Sequence, residues 1–213
     1  MRALPRFPAL PIGRIHLVRT AAEAQAAHAA MRGARHVGFD TESKPTFVVN
    51  EARTGPHLVQ VATPSEAFLF PVGSGTAPHV LREVLESAET AKVGFGLKSD
   101  RGPLHEKLGV SLRNYVELAV ATRRLGYKDQ VGLQVAVAIV LGQYLQKSRK
   151  VSTSNWALEN LTEAQCLYAA NDAYASLCVY LELLKSAPEV LAAAPAEASP
   201  DTPERGRRRR RRR

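Results

Sequence analysis

Cysteine, aspartate and long apolar runs are all scarce in this 213-residue chain. The two cysteines, Cys166 and Cys178, exclude a disulfide-stapled fold or a zinc site built from cysteines, and they suit a reducing compartment. The longest apolar run, Val135–Leu141, is far shorter than the roughly 20 residues of a membrane-spanning helix. Prolines and arginines interrupt the N-terminus, so no secretory signal is expected. We therefore expect a cytoplasmic protein with no membrane partner.

The net charge of +9 is unevenly distributed along the chain. The residues from Val190 onward carry +5, mostly from Arg207–Arg213, and the remainder carries +4. Ala/Pro-rich sequence without apolar periodicity precedes the arginines, so residues 186–213 are predicted to be a disordered linker and tail. We interpret the arginine run as a non-specific nucleic-acid tether. The alternatives are that it does nothing in catalysis or that it binds acidic partners.

Apolar patterning and turn residues predict alternating strands and helices in one domain over residues 15–185, after an N-terminal arm over residues 1–14. The predicted strands are Ile15–Val18, His36–Glu42, His57–Ala62, Ala67–Val72 and Lys92–Phe95. Capping boxes that would open helices lie at Thr20–Glu23, Asn114–Glu117 and Thr162–Gln165. Further helices are predicted at Val80–Ala88, Leu104–Leu108 and, capped by Asp129, Val131–Leu141. This order predicts an α/β fold with a mixed sheet and helices on its faces.

The chain has only five aspartates against fifteen glutamates, and three of them occupy suggestive motifs. Asp40 and Glu42 stand at i and i+2 of a predicted strand, so both side chains point to one face. Two adjacent carboxylates repel each other unless a cation lies between them, and the natural cation is Mg²⁺ or Mn²⁺. The alternative is a solvated strand end.

Two further carboxylates stand next to helical segments. Tyr168 and Asp172 are one helical turn apart, on a side that also carries small apolar residues, so this side is expected to face the sheet. Asp100 follows a strand and a glycine-rich turn. Taken singly, these motifs could be a surface Tyr–Asp pair and an ordinary helix cap. Together, four carboxylates suit two divalent ions that promote in-line attack on a phosphodiester.

These motifs resemble the DEDD superfamily of 3′–5′ exonucleases, in its tyrosine-containing branch, over roughly residues 15–184. The likeness extends to the ribonuclease D and Werner-type exonuclease domains. The residues that carry it are Phe39–Glu42, Val93–Asp100, Gly132-Leu133, Val140–Gly142, Ser154–Trp156 and Leu161–Tyr174.

The resemblance implies a ribonuclease H-like mixed sheet flanked by helices on both faces, and it assigns roles to the acids. Asp40 would bridge two ions, Glu42 and Asp172 would complete the site of one ion, and Asp100 would hold the other. Tyr168 would orient or help deprotonate the attacking water.

The implied reaction is metal-dependent hydrolysis that releases 5′-mononucleotides from single-stranded or recessed 3′ ends, with DNA slightly favoured over RNA. No ATP is expected, because the sequence holds no Gly-x₄-Gly-Lys-Ser/Thr phosphate loop. The alternatives are a catalytically silent nucleic-acid-binding module and an endonuclease of the same fold.

Several side chains near these motifs are candidates for nucleic-acid contacts. Phe47 would wedge against the terminal base and Trp156 would stack on a base, although either could instead belong to the core. The basic candidates would grip phosphates unless they are merely solvated. They are Lys98, Arg101, Lys147, Arg149 and Lys150.

Overall fold

A six-stranded mixed sheet forms the centre of the computed structural model, which describes residues 3–46, 54–75, 78–127 and 131–192. Phe47, Asp129 and the arginine run lie outside these residues. The strands are β1 Ile15–Leu17, β2 His36–Glu42, β3 Leu58–Ala62, β4 Ala67–Pro71, β5 Ala91–Gly94 and β6 Tyr115–Glu117. The helices are α1 Ala21–Met31, α2 Pro78–Glu86, α3 Leu97–Leu108, α4 Leu118–Arg124, α5 Leu133–Leu141, α6 Arg149–Ser152, α7 Glu163–Ser186 and α8 Pro188–Ala192.

The sheet order β1-β4-β3-β2-β5-β6 places β2 in the interior of the sheet. The β2–β3 and β3–β4 pairs are antiparallel, whereas β2 is parallel to β5 and β5 is parallel to β6. The predicted mixed α/β architecture is therefore confirmed. Since ligands of such sheets gather at the carboxyl ends of the parallel strands, the end of β2 is the natural place for a site.

Each face of the sheet has its own apolar core, because successive strand residues point to opposite faces. On one face, Val37 and Phe39 of β2 pack with apolar residues of α1 and α2. On the other face, Leu58 and Ala62 of β3 pack with alanines of α7. The expectation of helices on both faces is thus confirmed.

Helix α7 lies directly on β2, and Gly38 permits this approach. A Cβ atom at Gly38 would lie 1.9 Å from the carbonyl oxygen of Ala173, a distance that no side chain could occupy. The helix begins with the predicted capping box. The Thr162 hydroxyl accepts a hydrogen bond from the backbone N–H of Gln165, and the Gln165 side-chain oxygen accepts one from the backbone N–H of Thr162. Asp172 therefore faces the sheet, as predicted, with 4% of its surface exposed.

The structure corrects two of the predicted helix starts. Residues 115–117 form strand β6 beside β5 instead of a helical turn, so the capping box predicted at Asn114 is wrong. The Asn114 side chain donates to Ala88 O, and Glu117 is the actual cap of α4. Helix α3 begins at Leu97, seven residues before the predicted start, and contains Pro103. Asp100 consequently lies within the first turn of α3.

Both ends of the described chain pack against the predicted domain. Phe7 and Leu10 are buried, and Leu10 N donates to the side chain of Asn171 in α7 at 2.7 Å. Residues 188–192 were predicted to be disordered, but they form α8, which packs on α4 and α7 with Val190 buried. Among the described residues, the structure contains no helix with the length and apolarity needed to cross a membrane.

Candidate active site

Three carboxylates converge where the C-terminal end of β2 meets the middle of α7. Asp40 and Glu42 project from one face of β2, and Asp172 projects toward them from α7. One oxygen of each carboxylate lies within 4.8 Å of the other two. Residues that are 130 positions apart in sequence therefore form one cluster, as the motifs predicted.

Asp100 stands beside this cluster and is tied to it through β2. The Thr41 hydroxyl donates a hydrogen bond to the Asp100 carboxylate. Asp100 is close enough for its charge to raise the pKa values of both Asp40 and Glu42. All four predicted acids thus share one electrostatic environment at the carboxyl end of the central strands.

Burial and mutual repulsion disfavour the charged forms of these acids. Burial, together with the charges of Asp172 and Asp100, raises the pKa of Asp40 well above its usual range. Burial and the charge of Asp40 raise the pKa of Glu42 to about 9. Burial raises the pKa of Asp100 to about 6. A bound cation would therefore stabilise the ionised forms of these carboxylates.

Lys147 supplies positive charge to this cluster. Its Nζ lies 2.5 Å from Asp172 Oδ2 and 4.9 Å from the centre of the Tyr168 ring. Burial opposes charging of Lys147, but the Asp172 carboxylate outweighs it and the pKa of Lys147 is raised. Burial raises the pKa of Asp172 despite this partner. Lys147 was predicted as a phosphate contact, and the structure places it at the acids themselves.

Tyr168 lies one turn before Asp172 and faces the same cluster. Burial and the charge of Asp172 raise the pKa of Tyr168 to about 12, so its hydroxyl keeps its proton at neutral pH. The Trp156 ring packs against the Tyr168 ring, with their centres 5.9 Å apart.

The structure corrects the expectation that Trp156 stacks on a base. Only 1% of Trp156 is exposed, and its Nε1 donates to Ser152 O. The Trp156 ring is therefore too buried to stack on a base, and it packs instead against the Tyr168 ring.

The other basic candidates lie on helices α3 and α6. Arg149 and Lys150 are exposed on α6, and Arg149 lines an open cleft of about 480 Å³ together with Lys147 and Tyr168. Lys98 is exposed on α3. Arg101 lies over the Tyr115 ring and donates to its hydroxyl at 3.1 Å.

Sequence reasoning missed several residues that support the acids. Glu117 accepts a hydrogen bond from Gly96 N, in the turn before Asp100, and its charge raises the pKa of Asp100. Thr41 links β2 to Asp100 and also donates its amide to Asp40 Oδ1 at 2.9 Å. Thr41 could have been suspected from its place between two acids. Glu117 could not, because strand β6 was not predicted.

The donor set fits divalent ions of the Mg²⁺ and Mn²⁺ class. All of the clustered ligand atoms are carboxylate oxygens, and hard cations of this kind prefer oxygen. The cluster contains no cysteine or histidine, the ligands that would favour zinc. Burial and the neighbouring carboxylate charges raise the pKa values of Asp40 and Glu42, and ions of this class would neutralise that negative charge.

Comparison with known proteins places this arrangement in a family. The model of the 3′–5′ exonuclease family matches residues 15–187, and the chain belongs to that family. Over 149 residues it is 35% identical to the bifunctional 3′–5′ exonuclease/ATP-dependent helicase WRN of Mus musculus. The match covers 69% of this chain but 11% of the mouse protein, so this chain matches only a small part of that protein's length.

Solved structures with the same fold include exonuclease domains of low sequence identity. The Nibbler EXO domain of Aedes aegypti superposes with a TM-score of 0.73 at 23% identity, covering 90% of this chain and 99% of that one. RNase D of Trypanosoma brucei in complex with RNA U12 gives 0.69 at 24%, covering 79% and 62%. The sheet is therefore of the RNase D-like, ribonuclease H-like type that the resemblance implied.

Proposed function

We propose that the chain is a metal-dependent 3′–5′ exonuclease that hydrolyses the terminal phosphodiester of a nucleic acid and releases 5′-mononucleotides. The convergence of Asp40, Glu42 and Asp172, with Asp100 beside them, is the observation that carries this proposal. A silent binding module has no need for a cluster of carboxylates that raise one another's pKa values. Membership of the 3′–5′ exonuclease family supports the same reading.

Two divalent ions bound by the acids would lower the pKa of an attacking water and stabilise charge on the leaving oxygen. Asp40 would contribute to both ion sites, since its charge interacts with those of both Asp172 and Asp100. Glu42 and Asp172 would complete the set for one ion, and Asp100 would serve the second.

Tyr168 and Lys147 act on the reacting groups without binding the ions. Burial and the charge of Asp172 raise the pKa of Tyr168, and we assign its hydroxyl the role of orienting the attacking water. Lys147 stays protonated and gives the site a positive group beside Asp172. Its ammonium would contact a non-bridging phosphate oxygen of the terminal nucleotide.

The substrate is a single-stranded or recessed 3′ end, and we favour DNA slightly over RNA. The support is the likeness of Phe39–Glu42 and its flanks to Werner-type domains and the identity with the mouse protein. The superposable RNase D was solved with RNA, so both substrates belong in the test. The 2′-hydroxyl is the chemical difference that would be discriminated.

The test uses the full chain on 5′-labelled DNA and RNA strands of matched sequence, with Mg²⁺ or Mn²⁺. The expected result is a ladder that shortens from the 3′ end and is abolished by chelation. Binding of the strands without cleavage under either metal would instead support the silent module. Internal cuts that appear before any shortening would support an endonuclease.

A further inference from the structure

Gln60 carries a buried carboxamide whose polar atoms make no hydrogen bond within the described structure. The residue is fully buried in β3, and neither its Nε2 nor its Oε1 has a partner. Buried polar groups in folded proteins almost always have a partner, so one left without any needs an explanation. An apolar side chain of similar volume would fit the same place without that penalty.

The position of Gln60 is defined by the register of the sheet. In the antiparallel β2–β3 pair, Gln60 lies directly opposite Asp40. Directly opposed residues point to the same face, with Cβ atoms about 5 Å apart. Leu58 and Ala62, which flank Gln60 at i−2 and i+2, belong to the core beneath α7. The carboxamide is therefore on the face that holds Asp40 and is covered by α7.

Asp40 has capacity for a second hydrogen bond. Its Oδ1 already accepts from Thr41 N at 2.9 Å, which fixes one side of the carboxylate. A carboxylate has about four acceptor positions, and metal-binding carboxylates are in turn held by neighbouring donors. A carboxamide is suited to this task because it donates N–H without adding charge to a crowded acidic site.

We propose that Gln60 is a positioning residue that donates a hydrogen bond from Nε2 to the Asp40 carboxylate when divalent ions occupy the site. This inference rests on the proposed function and adds to it a residue on a strand that contributes no acid. Gln60 touches neither substrate nor ions, and it acts by fixing the orientation of Asp40. This role accounts for the presence of an unpaired carboxamide in the metal-free protein.

The test compares Gln60→Met with the matched control Leu69→Met. Leu69 is the other cross-strand neighbour of Gln60, lies fully buried in the same core and has no role in the site. Both substitutions keep the side-chain volume approximately constant, and both introduce an apolar side chain. Binding of Mn²⁺ alone is measured by calorimetry on the metal-free full chain, and unfolding is followed by thermal melting.

Gln60→Met is expected to weaken Mn²⁺ binding by roughly 10-fold or more, while its metal-free melting temperature stays at or above that of the wild type. Leu69→Met should bind Mn²⁺ as the wild type does. Wild-type Mn²⁺ affinity in Gln60→Met would overturn the inference. A Gln60→Met or Gln60→Leu protein that fails to fold would overturn it too, because the amide would then serve the fold.

Strand shortening by the wild type separates the two proposals. If the wild type shortens strands and Gln60→Met binds Mn²⁺ normally, the exonuclease proposal stands and the Gln60 proposal is wrong. If the wild type binds Mn²⁺ without cleaving strands and Gln60→Met binds Mn²⁺ weakly, the exonuclease proposal is wrong and Gln60 still supports the metal site.

Discussion

Lys92 and the acidic cluster are two charged regions at opposite ends of the parallel β2–β5 pair, and their charges have different partners. Lys92 is fully buried near the start of β5, and its Nζ donates to the carbonyl oxygens of Ser87 and Thr90 at 2.7 and 2.8 Å. Four carboxylates gather at the other end, and Lys147 is the cation that pairs with one of them in the described structure.

This comparison indicates that the Lys92 ammonium has a structural role, whereas the carboxylates of the cluster have a role in a reaction. The backbone solvates the Lys92 ammonium locally, and its position needs no further partner. The carboxylates raise one another's pKa values and remain short of positive charge. The fold gains nothing from this repulsion. We therefore propose that the cluster binds divalent ions, which would supply the missing positive charge.

The largest expected effect comes from Asp40→Asn. The variant should lose roughly 10³-fold or more in kcat for 3′ shortening, since ion binding is worth several kcal/mol in the transition state. Without metal it should be more stable than the wild type, because it lacks a carboxyl group whose charged form is disfavoured by burial and by the charges of Asp172 and Asp100. The measurements are strand-shortening rates and denaturant unfolding.

The control for Asp40→Asn is Glu83→Gln, which removes one exposed carboxylate paired with His28 on the far side of the molecule. It should leave both rate and stability close to wild type. Loss of stability in metal-free Asp40→Asn would contradict the idea that the acids repel one another.

Lys147→Met should show that the lysine is the internal counter-ion of the cluster. Removing one partner of a buried ion pair leaves Asp172 uncompensated, and the free energy of unfolding without metal should fall by roughly 3 kcal/mol. Added Mg²⁺ should then restore more stability than it adds to the wild type, because the ion replaces the lost charge. Melting curves with and without Mg²⁺ measure both effects.

Lys150→Met is the matched control, since Lys150 is exposed on α6 three residues after Lys147. It should melt as the wild type does under both conditions. Equal Mg²⁺ responses in Lys147→Met and the wild type would mean that the ion and the lysine do not share Asp172.

Tyr168→Phe should have a smaller effect than loss of an acid. The change removes one hydroxyl and leaves every metal ligand in place, so kcat should fall about 10–100-fold with unchanged Mn²⁺ affinity. Tyr180→Phe, in the buried part of α7 beyond Ser176, is the control and should keep the full rate. A loss equal to that of Asp40→Asn at saturating metal would contradict the role given to Tyr168.

The smallest expected effect is the contribution of Lys92 to the pH dependence of stability. Burial lowers the pKa of Lys92 to about 8, below the value of about 10.4 in an unfolded chain. Between these values the unfolded state binds more protons, so the free energy of unfolding should rise with pH over this range.

Lys92→Met removes that titration, so the stability difference between variant and wild type should change across pH 8 to 10 and be flat below pH 7. Urea unfolding of both proteins at several pH values measures the difference. A constant difference over the whole range would mean that Lys92 titrates normally.

The acids could be found from the sequence because each has a local signature. Asp40 and Glu42 are placed by strand alternation, and Asp172 by the helical pattern after a capping box that the structure confirms. Residues whose role depends on distant partners could not be found in this way. Lys147 approaches Asp172 across 25 residues, and nothing in the local sequence distinguishes it from Arg149 or Lys150.

The fold errors have the same physical origin. Residues 114–117 have the composition of a capping box, but pairing with β5 outweighs that local preference and makes a strand. Residues 188–192 lack periodicity, and their helix is held by packing against α4 and α7. Gln60 appeared unremarkable in sequence because only the β2–β3 register places it opposite Asp40.

The most direct test of the central claim is an anomalous-scattering map from crystals of the wild type grown with saturating Mn²⁺. The account predicts at least one manganese peak within about 2.0–2.6 Å of oxygens from Asp40, Glu42 and Asp172, and none near Lys92. A map at that concentration with no manganese at the three carboxylates would contradict it.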